Sequence, residues 1–455
     1  MHGILGYFLK KINRKIKTCN WMALIRPYTL SLFIPVLLAG FILAGCAGVT
    51  PESAAPKVAS PTPVAMSTPT APAATKPAAT THASSPSPLP VPITAQPAAP
   101  TKETLRNSQI AYTGVDGNIW LFDPARGESM QITEDAVPFQ PTGEGGGGYT
   151  NYCCAEWSSD GMMLAFRKEV GTEAEQGIQS SYELRVYDVS SGDVRTFLKE
   201  QQVMNFAWRP GSHLVAYDLE IPVDYFINPS PELAQGIWTL DVDSGESQEL
   251  VLPERGNSLL FPKWSGDGRF LSFEEVVTME GSGKFAYYDL QLGKYFAWDA
   301  VIGNYSWSPD GERIAYDRLS YAASGNERIW IRDRQGGQEK ELDLDFERQH
   351  VQLDFDYAYS PIFSPTGSRL VYLLAKTGSD EQRQEIIIRD HALEDVKNIF
   401  DLGEFYQVGD LTWSADGHRL FFTAGPSDAR KVIEINISNQ EKTTLVNGSQ
   451  PAVQP

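Results

Sequence analysis

Cysteine is scarce in this chain: four in 455 residues, at positions 19, 46, 153 and 154. No C-x-x-C pair occurs, so a structural zinc site is not expected. The six histidines are scattered, with no H-x-x-x-H spacing, and no metal or other cofactor is expected. No G-x-S-x-G elbow is present, which removes the usual serine nucleophile of α/β-hydrolases. The glycine run from Gly143 to Gly148 has no Lys-Ser/Thr after it and reads as a surface loop, not a phosphate cradle. Basic residues are also few. From position 105 onward there are 29 Lys and Arg against 55 Asp and Glu, and such a surface excludes nucleic acid as a ligand. Cations, basic peptides and neutral glycans remain compatible with it.

What the chain has is a repeat. An aromatic residue, a polar turn and a hydrophobic strand recur as WSSDGMMLAF (Trp157), WRPGSHLVAY (Trp208), WSGDGRFLSF (Trp264), WSPDGERIAY (Trp307), FSPTGSRLVY (Phe363) and WSADGHRLFF (Trp413). The anchors are 51, 56, 43, 56 and 50 residues apart, the signature of one supersecondary unit stacked many times. Asp-Gly and Thr-Gly are hairpin chemistry, because glycine accepts the positive φ of a tight reversal. A third strand follows in each unit and ends at Asp188, Asp241, Asp289, Asp333, Asp390 or Asn436, where a short polar side chain can bond its own backbone. Short fourth strands come next.

Four antiparallel strands per period predict an all-β chain with β-propeller blades. A further copy from Ser108 to Thr133 has strands two to four and no innermost strand. Seven four-stranded blades are therefore predicted, with six as the alternative. The tail from Gly448 to Pro455 could complete the first blade and remove a free edge, but it carries two prolines that cannot donate to a ladder.

The repeats resemble the WD40-like (PD40) β-propeller repeats of the TolB family, whose hallmark is W-S-P-D-G followed by an I-A-F/Y strand. Trp307-Ser308-Pro309-Asp310-Gly311 with Ile314-Ala315-Tyr316 matches it residue for residue. The resemblance implies a propeller over residues 105–455 and leaves function open, since propellers host binding and catalysis alike. TolB proteins carry a small α/β domain ahead of the propeller, and here a linker stands in that place.

Residues 1–45 read as a lipoprotein signal peptide. Six Lys or Arg and no acidic residue precede the apolar run Leu30 to Gly45. Leu43-Ala44-Gly45-Cys46 resembles a bacterial lipobox, with lipid expected on Cys46, and Met22 is an alternative start. Residues 46–104 are rich in Pro, Ala, Thr and Ser and are expected to form a disordered tether, because they cannot bury enough apolar surface to offset ordering entropy. The expected whole is a monomeric bacterial lipoprotein on the extracytoplasmic side of a membrane, its propeller binding a protein or glycan of the envelope.

Topology suggests where. Links one-to-two and three-to-four leave a blade on one face and are all tight here; the other links are long and fall on the opposite face, the candidate binding surface. Tyr149, Tyr152, Glu156, Asp354, Asp356, Tyr357, Tyr359 and Asp410 are its candidate residues. Aromatics beside carboxylates suit a sugar, a cationic peptide or a divalent ion. The alternative function is a polysaccharide lyase or hydrolase using Asp354, Asp356 or Asp410 in the channel. Cys153 and Cys154 read as two buried thiols, with a vicinal disulfide as the second reading; neighbouring Cα atoms lie about 3.8 Å apart, below the usual disulfide span of about 4.4 Å or more. His213 and His418 occupy matching positions after two turns and are expected to be exposed and far apart.

Overall fold

The computed structural model describes residues 108–455, apart from 139–146, 175–176, 200, 223–231, 254–256, 277–282, 319–327, 338, 343–354, 356, 376–382 and 391–398. The expected signal peptide, Cys46 and the expected tether lie outside the described residues, as do Asp354 and Asp356.

The architecture is an all-β propeller. Five sheets have four antiparallel strands each. The Trp157 sheet consists of Gly148–Trp157, Met163–Ala174, Gly177–Asp188 and Val194–Phe197. The Trp208 sheet consists of Val203–Trp208, Leu214–Leu219, Ile237–Asp241 and Ser247–Val251. Sheets of the same order are built on Ser258–Trp264, Tyr305–Trp307 and Tyr357–Phe363. In each, the strand carrying the aromatic anchor is innermost.

The expectation of seven separate four-stranded blades is corrected here. The remaining strands form one seven-stranded sheet, in the order Gly409–Trp413, Arg419–Ala424, Lys431–Asn436, Lys442–Val453, Ile110–Gly114, Ile119–Asp123, Glu128–Gln131. The reason is one continuous strand. Lys442 to Asn447 pairs with Lys431–Asn436, and Gly448 to Val453 then pairs with Ile110–Gly114. The C-terminal tail thus supplies the missing innermost strand of the first repeat. Pro451 falls where the register shifts between Ala111 and Thr113, so its missing N–H interrupts no regular ladder position.

The turn motif has a physical basis. Ser158 Oγ donates to Asp160 Oδ1 (2.6 Å) and accepts from Met163 N (2.9 Å), while Gly161 has φ 69°. Ser265, Asp267, Phe270 and Gly268 repeat this arrangement, and both serines are fully buried. The serine is therefore a turn lock. At the next turn Asp188 Oδ1 accepts from Ser190 N (2.8 Å), and Asn436 Oδ1 from Ser438 N (2.9 Å).

Second strands are apolar without alternation because both of their faces are covered. Leu164, Ala165 and Phe166, and likewise Ile314, Ala315 and Tyr316, are all buried. Each hydrophobic cluster joins successive repeats: Met163, Leu184 and Val186 pack with Trp208, Val215 and Leu240. Ala111 and Leu121 likewise pack with Trp157 and Leu164, and Ile110 and Phe122 with Phe421 and Val432. Outermost strands such as Glu339–Glu341 are exposed and charged, which discourages edge-to-edge pairing.

Candidate functional site

Several inner strands share a device that repeat spacing did not reveal. Three residues ahead of the anchor the ladder slips, and the backbone turns left-handed at Cys154 (φ 63°), Phe261 (59°), Ser360 (53°) and Asp410 (53°). Gln450 (56°) takes the corresponding place in the C-terminal strand. A bulge frees backbone N–H groups that must find partners.

Side chains of neighbouring repeats supply those partners. Asp218 accepts from Asn205 N (2.7 Å) in its own sheet and from Phe261 N (2.7 Å) in the next. Asp317 does the same for Asn304 N and Ser360 N, both at 2.8 Å. Gln450 Oε1 accepts from Cys154 N (3.1 Å), and Gln450 N donates to Thr423 Oγ1 (3.0 Å) and Asp410 Oδ2 (3.3 Å). Burial pushes Asp218 up to about 6 against the pull of these donors, and raises Asp317 as well. Both aspartates follow Ala-Tyr in the second strand, a shared pattern from which they could have been found.

Several of the proposed binding residues lie on or beside the inner strand Gly148–Trp157. The two strands after it run 12 residues each, longer than most of their counterparts. Half-buried Tyr149 donates from its hydroxyl to Glu169 and lies 3.2 Å from Ser180 Oγ. Desolvation, then the Glu169 carboxylate, pushes its phenol up to about 12. Tyr152 is buried, donates to Asp135 and accepts from Arg185 Nη1 (3.1 Å), while Lys168 Nζ meets Asp135 Oδ2 at 2.5 Å. The cluster around Tyr149 and Tyr152 thus includes the acids Glu169 and Asp135 and also the bases Lys168 and Arg185, which sequence reasoning missed because they come from other strands and a connection.

Glu156 is half-buried in the seam toward the Trp208 sheet, where its Oε1 accepts from Trp208 N (3.1 Å). Desolvation raises its carboxyl to about 7, with Lys263 opposing. Tyr357 and Tyr359 are core residues, packed with Val408 and Trp413. The Tyr359 hydroxyl accepts from Gln384 Nε2 (2.5 Å). Their rings therefore serve a blade interior. Asp410 is exposed and engaged by the Gln450 amide. Cys153 and Cys154, read first as two thiols, are joined in a disulfide and are half-buried.

On the tight-turn face, His213, expected to be exposed, is half-buried and paired. Its Nε2 lies 3.0 Å from Asp160 Oδ2 of the preceding repeat, and its Nδ1 lies 3.0 Å from Asp243. His418 is exposed. Among the described residues, no three His, Cys, Asp or Glu side chains come together as a metal-holding group.

No family model matches the chain. Dipeptidyl-peptidase 5 of Porphyromonas gingivalis is 21% identical over 249 residues, covering 48% of this chain and 33% of that protein. This chain thus spans about a third of the length of that curated relative. Among solved structures, a prolyl endopeptidase gives a TM-score of 0.51 at 13% identity, covering 75% of this chain and 50% of that one, a likeness of fold alone. TolB from Acinetobacter baumannii gives a TM-score of 0.43 at 14% identity, covering 74% and 79%.

Proposed function

We propose that this protein is a lipid-anchored binding module of a bacterial envelope, held on the extracytoplasmic side by lipid on Cys46 and presenting its long-connection face to an envelope protein or polysaccharide. In this reading the strand Lys442–Val453 closes the propeller by pairing on both sides, and hydrophobic clusters join the first repeat to both neighbours. The chain acts as a monomer, and its acidic surface turns away nucleic acid.

One observation carries the binding reading: the two faces differ in kind. The tight-turn face is locked by buried serines and short polar bonds, as at Ser158 and Ser265. On the Trp157 sheet, the end opposite those turns carries the Tyr149–Glu169–Ser180 cluster, shared by the inner strand Gly148–Trp157 and the long pair Met163–Ala174 and Gly177–Asp188, and an exposed Ile178. Rigid scaffolds that carry elaborated connections on one side concentrate recognition there.

The test is a pull-down from envelope extract, run beside turnover assays on polysaccharides and peptides. A retained partner lost with Tyr149→Ala or Ile178→Asp and kept with His418→Ala supports the reading. Turnover abolished by Asp410→Asn, with no retained partner, would replace it with the carboxylate enzyme.

A further inference from the structure

We propose that Cys153–Cys154 is a thiol–disulfide exchange site for dithiol reductants, set in the inner strand, and not a staple of the fold. A cross-link between chain neighbours closes almost no loop and removes little entropy from the unfolded chain. Nor does it shape the strand. The left-handed turn at Cys154 recurs at Phe261, Ser360, Asp410 and Gln450, where no cross-link exists. The bulge belongs to the repeat and survives without sulfur.

The strand is also held independently on both sides of the pair. Tyr152 N donates to Gly117 O (3.1 Å), Cys154 N to Gln450 Oε1 (3.1 Å), and the Trp157 indole to Ala452 O (3.1 Å). Breaking the S–S bond therefore leaves both cysteines on a fixed backbone, ready to close again. Neither cysteine is sealed in the core.

In the exchange, a thiolate of the reductant attacks one sulfur and forms a mixed disulfide. The other cysteine is expelled as a thiolate and takes up a proton. The second thiol of the reductant then attacks the mixed disulfide and leaves as the oxidised disulfide. Two electrons and two protons have passed to Cys153 and Cys154, and an oxidised dithiol reverses the sequence.

The experiment uses the full-length chain without denaturant, titrated with dithiothreitol and then with its oxidised form. Alkylation by iodoacetamide is mapped to the Cys153–Cys154 peptide by mass, which separates it from Cys19 and Cys46. Expected are no label before reduction, two labels after it, loss of label on reoxidation, and an unchanged unfolding midpoint in both states and in Cys153→Ser/Cys154→Ser. Reduction that needs denaturant, free thiols that resist reoxidation, or unfolding on reduction would each overturn the proposal.

Discussion

The indole N–H of Trp157 donates to the backbone carbonyl of Ala452, 295 residues later, at 3.1 Å. The same bond joins Trp208 to the carbonyl of Glu156 (2.9 Å) and Trp264 to that of Ala207 (3.2 Å). Trp208 and Trp264 each reach back to the residue just before the preceding anchor, and Trp157 reaches its counterpart in the C-terminal strand. The seam between the two ends of the chain is thus bonded like a seam between consecutive repeats.

Truncation after Asn447 should therefore act far beyond the tail. It removes the partner of Ile110–Gly114, the acceptor for Trp157 and the acceptor for Cys154. The thermal midpoint should fall by on the order of 10 °C or more, as expected for a loss of several kcal/mol. A shift within error would show that the ring does not depend on this closure.

Trp307 stacks on Phe270 (5.8 Å, 14°), meets Tyr287 edge-on (6.0 Å) and donates from Nε1 to Ser272 Oγ (2.8 Å). Trp307→Ala leaves a large void, while the Ser272 hydroxyl keeps Lys263 O (3.0 Å) and Tyr305 Oη (3.0 Å), so the cost is that of the lost packing, roughly 3–5 kcal/mol in chemical denaturation. A loss below about 1 kcal/mol would mean that the neighbouring rings collapse into the space.

Asp218 gathers two backbone N–H groups from adjacent sheets as well as the Asn205 amide (2.9 Å). Asp218→Ala strands all three donors, so the expected loss is at least about 2 kcal/mol even though a buried charge is removed. Equal stability of variant and parent would show that water replaces the carboxylate.

The repeat was readable because each of its elements is local. A serine two residues before an aspartate, a glycine at positive φ and an apolar strand lie within ten residues, as at Ser158 to Phe166. The ring closure was partly hidden, since Pro451 argues against a strand until the bulge that accommodates it is seen. The site was less legible still. Tyr357 and Tyr359 carry the composition of a binding surface, but strand pairing turns them into a blade core. The shared Ala-Tyr-Asp pattern marks Asp218 and Asp317, but their partners are bulges of the next repeat, 43 residues away, which that pattern does not encode.

The anchor is tested by Cys46→Ser. If the Leu43-Ala44-Gly45-Cys46 motif is processed as a lipobox, the variant should lose labelling by a palmitate analogue and retain its signal on a denaturing gel. Continued labelling and processing would remove the lipid anchor from the proposal.

Stability should peak at mildly acidic pH. Glu156 sits near 7 and Asp218 near 6, each raised by desolvation, so the folded chain holds these protons more tightly than the unfolded one. Their contribution is complete below the unfolded values, near 4, and is lost as pH rises through about 6 to 7. His213 has the same sign. Hydrogen bonding to Asp160, then to Asp243, raises the histidine, so its contribution is present below its unfolded value and lost as pH rises through the folded one. Asp160 opposes at the acid end. Although partial burial pulls the other way, bonds from Ser158, Met162 N and His213 hold it at about 2, and its contribution fades as pH falls from its ordinary value toward that point. The thermal midpoint should therefore be higher near pH 5.5 than near pH 8. In Glu156→Gln, whose amide oxygen can still accept from Trp208 N, that decline should be shallower. A midpoint that rises from pH 5.5 to 8, or a Glu156→Gln profile parallel to the parent, would show that the seam carboxylate is hydrated and titrates normally.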